Sequence, residues 1–544
     1  MKQKKLNILI GLIIFLLLLI LKYPTLNLPH HWDSLILIGP TVDYLYRNPI
    51  TIFLWDYNVG HPPFIFIFIA ILSKILGKSL ALTNSIILFF SFLTLYFMYL
   101  VGKELFNTKI GIIASLLLLF TPIYFSYSGL ASLAIPLAAF TIMTIYFAIK
   151  NKYLLYFLFG SLSILTENTG VLIVLGLSIY KFINEKKLNR KTLIFLSPLI
   201  IFFIMNLLNY FYYGKFHPLN LYLFNLDIIR NIFNFLIIIK TIFFDQYRFI
   251  LTSFLIISII NFRELKNKNP KKIILNLFIS ILIFIFLYNL DMLTRYFVSI
   301  YPNIANYFTL VKSFSILFTI LIFIILTFSR NLIILMKEKR VLTIFIFISI
   351  LFHAFIIPLS PRYILFIFPL IYLFYSYSVI KIFKKYYIVS VILILIIFLL
   401  NFTGNRNKVG FELETNMEYV DTIKTHQLAA SYIEKNFPDA TVLAAYPQSM
   451  ELQYPYAGYI KKPIKVITAP PYPGITDYHK NYTQFLYSKK RPKMEINLSE
   501  INLYYYSTQE FQTKEIYDIR DKLNLKLLKR FEINKKVVEI SKVE

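Results

Sequence analysis

Residues 60–77 read GHPPFIFIFIAILSKILG, and the reading of this stretch decides how many times the chain crosses a membrane. From Pro62 to Leu76 it is apolar. It opens on two prolines, however, and runs only about fifteen residues before Gly77, against the roughly twenty needed to cross ~30 Å of hydrocarbon. A short apolar helix with proline at its start suits an interfacial or re-entrant position. If it lies at the interface, the basic loops that follow fall on one side of the membrane; if it crosses, they fall on the other.

Outward from this segment, the 544 residues are 58% hydrophobic, 18% aromatic and 15% charged. Soluble domains carry about 25% charged residues, so an ordinary cytosolic globular protein is excluded. The first apolar run, Leu6 to Leu21, follows Lys2, Lys4 and Lys5 but has no small-residue cleavage site and is followed by more spans, so it reads as a retained first span rather than a signal peptide. Stretches long enough to cross lie near 82–101, 109–127, 130–149, 192–212, 272–289, 313–329, 341–358, 363–382 and 386–402, with shorter ones near 153–165, 170–183 and 249–263. That makes about thirteen crossings.

With 62–76 placed at the outer surface, the inner loops up to residue 402 hold 24 Lys and Arg and the outer loops 11, as the positive-inside rule requires. If 62–76 crossed, the later basic loops would face outward, against that rule. An odd number of crossings from a cytoplasmic N-terminus leaves the C-terminal part outside. Residues 1–402 carry a net charge of +24 and residues 403–544 only +4, so two chemically different parts join near residue 402. The basic residues follow the membrane loops, and no nucleic-acid partner is expected. The chain has no cysteine, which removes disulfides, thiol nucleophiles and thiolate metal sites.

Acidic residues sort the other way. Asp33, Asp43, Asp56, Glu167, Asp227, Asp245 and Asp291 fall on outer loops or outer helix ends. The first outer loop, about 23–81, is far longer than most connections here, and long ordered loops are often functional. It holds both tryptophans of the protein, Trp32 before Asp33 and Trp55 before Asp56, together with His30, His31, Asp43, Arg47 and His61. Tryptophan is also enriched at membrane interfaces without any catalytic role.

In this loop the chain resembles the GT-C membrane glycosyltransferases, and among them the protein O-mannosyltransferase and aminoarabinose-transferase branch. An early acid, Asp33, and the motif His61-Pro62-Pro63-Phe64 match the first outer loop of that branch. Leu165, Thr166, Glu167 and Gly170 sit where the family has a turn between two short spans, and Arg362-Tyr363 followed by Pro369 resembles its Arg-Tyr motif opening a late span. Two departures stand out: Ser34 follows Asp33 where mannosyltransferases commonly have Glu, and Glu167 stands where Lys is frequent. The resemblance therefore does not carry over the sugar or the acceptor. Trp55-Asp56-Tyr57 is similar to part of the oligosaccharyltransferase signature, but that signature belongs to a soluble C-terminal domain and is not assigned here.

The resemblance implies inverting transfer of one sugar from a polyprenyl-phosphate carrier to an acceptor hydroxyl on the outer face. The acceptor is a protein, a lipid or a glycan. Such a site needs a carboxylate on one side of the sugar and cations on the other. Asp33 is the expected general base, because the attacking hydroxyl acidifies late in an oxocarbenium-like transition state and a weak base suffices. Its alternative role is to cap a helix beginning at Ser34. His61 is the matching contact for the lipid phosphate, or else marks the start of the interfacial helix. Arg362, with Tyr363, and Arg295, beside Asp291, are further candidates for stabilising the departing phosphate; snorkelling and a local ion pair are their alternatives. Asp43 and Asp56 are candidates to hold the acceptor or a divalent cation, although nothing in their spacing demands a metal. Glu167 is a carboxylate at a membrane turn, costly unless paired or wetted. His217 and His353 default to structural roles.

Residues 403–544 read as an α/β or α+β domain. A helix is expected at about 419–436, strands at 441–445, 464–468, 501–507 and 537–543, and a capping box at Ser507–Glu510 opening a helix to about Leu523. The whole is thus an α-helical polytopic membrane protein with an extracytoplasmic soluble tail. A transporter or lipid-linked-sugar flippase would explain the spans without chemistry, but no half-to-half repeat is visible and the acids cluster on one face. A catalytically silent, glycan-binding relative is the third reading.

Overall fold

The structure is a computed structural model describing residues 2–32, 34–54, 60–187, 189–214, 228–259, 279, 338–355, 361–402, 414–468, 497–509 and 514–544. Helix α1 (Lys2–Lys22) runs along the long helix α4 (Leu80–Leu105). Between them lie α2 (Gly39–Arg47), entered through a π-helical turn at Ser34–Ile38, and α3 (Phe64–Leu76), the helix formed by the proline-led stretch. Ser79 caps α4, its hydroxyl accepting from Leu82 N at 3.1 Å. Helix α5 (Thr108–Leu119) folds back on α4. The two approach so closely at Gly102 and Gly111 that a Cβ on Gly102 would lie 2.6 Å from the Gly111 Cα, and one on Gly111 would lie 2.4 Å from the Tyr99 carbonyl oxygen.

Proline decides where two of the expected spans break. The stretch expected as one helix over 109–127 is α5 followed, after a break at Thr121, by the short α6 (Pro122–Tyr127). The stretch over 192–212 is α10 (Arg190–Leu196) and α11 (Leu199–Tyr213), bent by 42° across Ser197-Pro198. In each case the ring removes a backbone donor and clashes with the preceding turn. Helices α7 (Ala134–Ile149), α8 (Tyr153–Thr166) and α9 (Val171–Glu185) pack in sequence behind α4. They are followed by α12 (Ile228–Phe243), α13 (Arg248–Ile259), α14 (Arg340–Ala354), α15 (Phe368–Phe383) and α16 (Tyr387–Leu400).

Among the described residues three helical stretches, Gln3–Thr25, Leu80–Leu105 and Pro361–Leu400, are long and apolar enough to cross a membrane, and the α10–α11 pair makes a fourth if counted as one span. This is fewer than the expected thirteen or so. The 40-residue stretch Pro361–Leu400 holds both late expected spans, separated at Lys384–Tyr386 where Lys384 takes a positive φ of 45°. Several others are apolar helices of 10–17 residues; the 14 residues of α8 reach about 21 Å at 1.5 Å each, short of the hydrocarbon thickness. The spans expected near 272–289 and 313–329 lie outside the described residues. Large apolar side chains stand exposed along the helices, among them Leu154 (81%), Phe203 (67%) and Phe211 (76%). Water would penalise such a surface, whereas lipid does not. The chain is an integral membrane protein.

The C-terminal part forms a five-stranded mixed sheet of order β2-β1-β3-β5-β4. Its strands are β1 (Val442–Ala444), β2 (Val466–Thr468), β3 (Leu503–Ser507), β4 (Leu525–Ile533) and β5 (Lys536–Val543). β1 runs parallel to β2 and β3, while β5 is antiparallel to β3 and β4. Helix α17 (Glu418–Asn436) covers β4 and β5. Strand β4 was not expected: its sequence, LKLLKRFEI, has no clean alternation and its burial is irregular. It is fixed instead by the tight turn at Asn534-Lys535, both at positive φ, which returns the chain as β5. The expected capping box falls partly outside the described residues. Ser507 closes strand β3, the next helix is α19 (Lys514–Arg520), and Glu510 lies outside the described residues. A short α18 (Gln448–Gln453) follows β1.

This C-terminal part packs directly on the first loop. His30 N donates to the Ala457 carbonyl at 2.9 Å, Tyr446 Oη donates to the Trp32 carbonyl at 3.0 Å, and Tyr456 Oη donates to the Leu35 carbonyl at 3.1 Å. The Trp32 and Tyr446 rings are 5.1 Å apart, and the His31 ring stacks on Tyr419 at 6.0 Å. One continuous apolar core runs from the helices into the sheet.

Candidate functional site

Two turns place the first pair of site residues. Gly60, at φ 85°, turns the chain into His61 just before the two prolines that start α3. Glu167 ends α8, where a 3-10 turn at Asn168–Gly170 leads into α9. That turn is possible only with glycine at 170, because a Cβ there would lie 2.3 Å from the Ser163 carbonyl oxygen. Asn168 Nδ2 donates to the Gly60 carbonyl at 3.4 Å and ties the two turns together. His61 Nδ1 and Glu167 Oε2 consequently lie 3.0 Å apart, both partly buried. Glu167 thus has its partner, one that no spacing in the sequence identifies.

Arg362 and Tyr363 open the 3-10 stretch Pro361–Ile367 that leads into α15. The Arg362 guanidinium lies over the Tyr363 ring at 5.1 Å from its centroid and donates to the Tyr363 hydroxyl at 3.4 Å. Segments far apart in sequence meet around one cavity, with about 710 Å3 of empty space that includes some open solvent. His61, Glu167, Arg362 and Tyr363 all line it. Its apolar wall comes from the loop between α6 and α7, including Leu130 and Leu133, and its floor from Leu37 and Ile38.

Two further polar contributors went unforeseen. Glu414, only 2% exposed, reaches the cavity from the segment joining the last helices to the sheet, and its Oε2 accepts from Tyr127 Oη at 3.0 Å. No motif marks either residue, and 414 falls in the part read from sequence as the separate tail.

The remaining candidates are placed as follows. Asp33 lies outside the described residues, but both its neighbours are described: Trp32 packs against Tyr446, and Ser34 lines the cavity. The Ser34 hydroxyl donates to the His31 carbonyl at 2.7 Å and accepts from His31 N at 2.8 Å. Asp43 does not line the cavity. It sits on α2, 3.0 Å from Arg47 Nε and in contact with Lys78 Nζ, so its charge is already paired. Asp56, Arg295 and Asp291 lie outside the described residues, as does His217. His353 is fully buried in α14, its Nδ1 2.7 Å from the Ser349 carbonyl oxygen. Among the described residues no three His, Asp or Glu side chains come together as a metal site.

His61 also borders a second cavity of about 440 Å3, lined by Pro62, Pro63, Leu165 and the α11 residues Phe202, Met205 and Asn209. Within the first loop, burial and the Lys78 charge lower the pKa of His30 to about 4, while burial and the neighbouring His426 lower that of His31 to about 3. Both are therefore neutral at physiological pH.

A family model described as dolichyl-phosphate-mannose-protein mannosyltransferase matches residues 60–210, a stretch that contains His61 and Glu167. No curated protein matches the chain. Among solved structures, ArnT from Cupriavidus metallidurans bound to undecaprenyl phosphate is similar over 99% of this chain and 98% of its own, at 10% identity and a TM-score of 0.53. The apo form of the same ArnT gives 0.49 at 10% identity over the same shares. The apo oligosaccharyltransferase of Archaeoglobus fulgidus gives 0.41 at 12% identity, covering 92% of this chain and 69% of that one. At such identities the likeness to ArnT speaks to the fold, and it extends through the helices and the sheet alike. The chain thus has an ArnT-like fold, and its stretch around the His-Pro-Pro motif is similar to the mannosyltransferase family model.

Proposed function

We propose that the protein transfers a sugar from a polyprenyl-phosphate-linked donor to an acceptor hydroxyl, with inversion at the anomeric carbon, on the extracytoplasmic side of the membrane. The observation that carries this reading is the meeting of His61, Glu167, Arg362 and Tyr363, drawn from separate segments, around one cavity whose wall also includes Ser34. A cavity with a fixed guanidinium beside an apolar wall suits a phosphate carried on a hydrocarbon chain. The undecaprenyl phosphate bound by ArnT belongs to a protein of the same fold, and the donor class proposed here follows that likeness.

In this reaction the bond between the anomeric carbon and the phosphate oxygen breaks, and a bond from the acceptor oxygen to the same carbon forms. The acceptor proton goes to Asp33, and the polyprenyl phosphate leaves with the bonding electrons. Arg362 stabilises the charge that builds on the departing phosphate, and Tyr363 keeps the guanidinium in place. His61 contacts the phosphate, with Glu167 fixing its ring from Nδ1. Arg295, with Asp291, is a second cation for the same phosphate, and Asp43 and Asp56 are left to acceptor contacts or to a divalent cation. The positive-inside distribution of Lys and Arg supports the assignment of side.

The test is incubation of the purified protein with a panel of polyprenyl-phosphate sugars, reading free polyprenyl phosphate by mass spectrometry. Release by the wild-type protein, lost in Asp33→Asn, is the expected result. No release from any donor, or full activity in Asp33→Asn, retires the reading.

A further inference from the structure

The geometry points to Glu414 and Tyr127 as the sugar-recognising pair of this cavity, the feature by which the protein tells a sugar-loaded polyprenyl phosphate from the bare carrier. The inference rests on the donor-lipid reading above and adds to it a substrate contact from the segment that leads into the sheet.

A carboxylate held at 2% exposure is costly to desolvate and persists only where polar partners repay it. Glu414 is placed there by its backbone. Ser126 Oγ donates to the Glu414 carbonyl at 2.6 Å and to the Asn416 carbonyl at 3.1 Å. Gln246 Nε2 donates to the Thr415 carbonyl at 2.6 Å, while its Oε1 accepts from Arg248 Nη1 at 2.9 Å and Ile123 N at 3.3 Å. Met417 N donates to the Phe402 carbonyl at 2.8 Å. Four successive residues are thus pinned by α6, by the turn before α13 and by the end of α16. Gln246 itself sits at a positive φ of 53°, a conformation a non-glycine residue adopts at a cost. The result is a side chain fixed in direction before any ligand arrives.

The chemistry of that side chain selects the ligand. The oxygens of a carboxylate accept hydrogen bonds, and Glu414 Oε2 accepts one from Tyr127 Oη. A phosphate is likewise rich in acceptors and poor in donors, so a carboxylate gains little from a bare polyprenyl phosphate. The hydroxyls of a sugar are donors. Within one cavity, then, Arg362 favours the part of the donor shared by substrate and product, and Glu414 favours the part present only in the substrate. Such a division helps the spent carrier to leave after transfer.

The experiment measures binding in nanodiscs of the full chain, by isothermal titration, to bare polyprenyl phosphate and to polyprenyl phosphates carrying mannose, glucose, N-acetylglucosamine or a 4-aminopentose. For the tightest sugar-bearing lipid, Glu414→Gln is expected to lose about ten-fold or more of the preference over bare carrier, the worth of a hydrogen bond to a charged group. Binding of the bare carrier should be unchanged or tighter. Glutamine keeps the size of the side chain and an acceptor for Tyr127, so folding is preserved; Tyr127→Phe gives an independent second variant that should also lower the preference. Full preference retained in both variants overturns the assignment and leaves the donor-lipid reading intact. A wild-type protein that binds none of the sugar-bearing lipids better than the bare carrier overturns the donor-lipid reading, and this assignment with it.

Discussion

The chemistry proposed here needs one weak base and one fixed cation, and each makes a separable prediction. Asp33→Asn removes proton acceptance while keeping size and polarity, so turnover should fall about 10²- to 10⁴-fold with donor binding nearly unchanged. Single-turnover release of polyprenyl phosphate alongside equilibrium binding checks both halves. Arg362→Ala should act on donor affinity as well, weakening it about ten-fold or more, and Arg362→Lys should restore it only in part because lysine cannot present a planar fork. His61, Glu167 and Arg362 were legible in the sequence because each belongs to a short ordered motif beside a proline, a glycine or a tyrosine. The His61–Glu167 contact was not, since 106 residues separate its partners and no periodicity links two turns. Glu414 was hidden more deeply. The stretch around Thr415 and Asn416 has the composition of an ordinary solvated linker, and only the fold shows that its carboxylate turns inward.

At the scale of elements, the first loop is held by buried neutral imidazoles, which makes its docking sensitive to acid. The pKa of His30 is lowered to about 4 and that of His31 to about 3, against an ordinary value near 6.5 in the unfolded chain. Between these values the unfolded state binds more protons than the folded one. Stability is therefore fully present above about pH 6.5 and is lost as pH falls towards the folded values, by about 1.4 kcal/mol per pH unit for each group. Thermal unfolding should be flat between pH 8 and 7 and drop steeply between pH 6.5 and 5, and His30→Gln with His31→Gln should flatten the drop. Helix contacts are equally specific. Gly111→Ala forces a methyl group against the Tyr99 carbonyl oxygen of α4, and a loss of about 1–3 kcal/mol is expected from overpacking, readable as a lower melting temperature. The sequence showed where apolar helices lie, but not where α5 and α6, or α10 and α11, break. Hydropathy averages over Pro122 and Pro198, whereas the backbone cannot. Strand β4 was missed for a related reason, being set by the turn that follows it rather than by its own pattern.

On the scale of the molecule, the C-terminal part shares one apolar core with the helices and holds the first loop through Tyr446, Tyr456 and Ala457. A chain ended at residue 402 loses Glu414 and every one of those contacts. It should lose donor binding together with activity and expose the first loop to proteolysis, which limited digestion in nanodiscs would reveal. The charge step near residue 402 reads as a division into two parts, but nothing in composition foretells that Glu414, beyond that step, lines the same cavity as His61 and Arg362. That cavity is the centre of the proposal, and its contents can be seen directly. An experimental structure of the protein with polyprenyl phosphate bound should place the phosphate in the cavity of His61 and Arg362, with a guanidinium nitrogen about 3 Å from a phosphate oxygen. A phosphate found elsewhere, with that cavity empty of lipid, would contradict the proposed chemistry at its root.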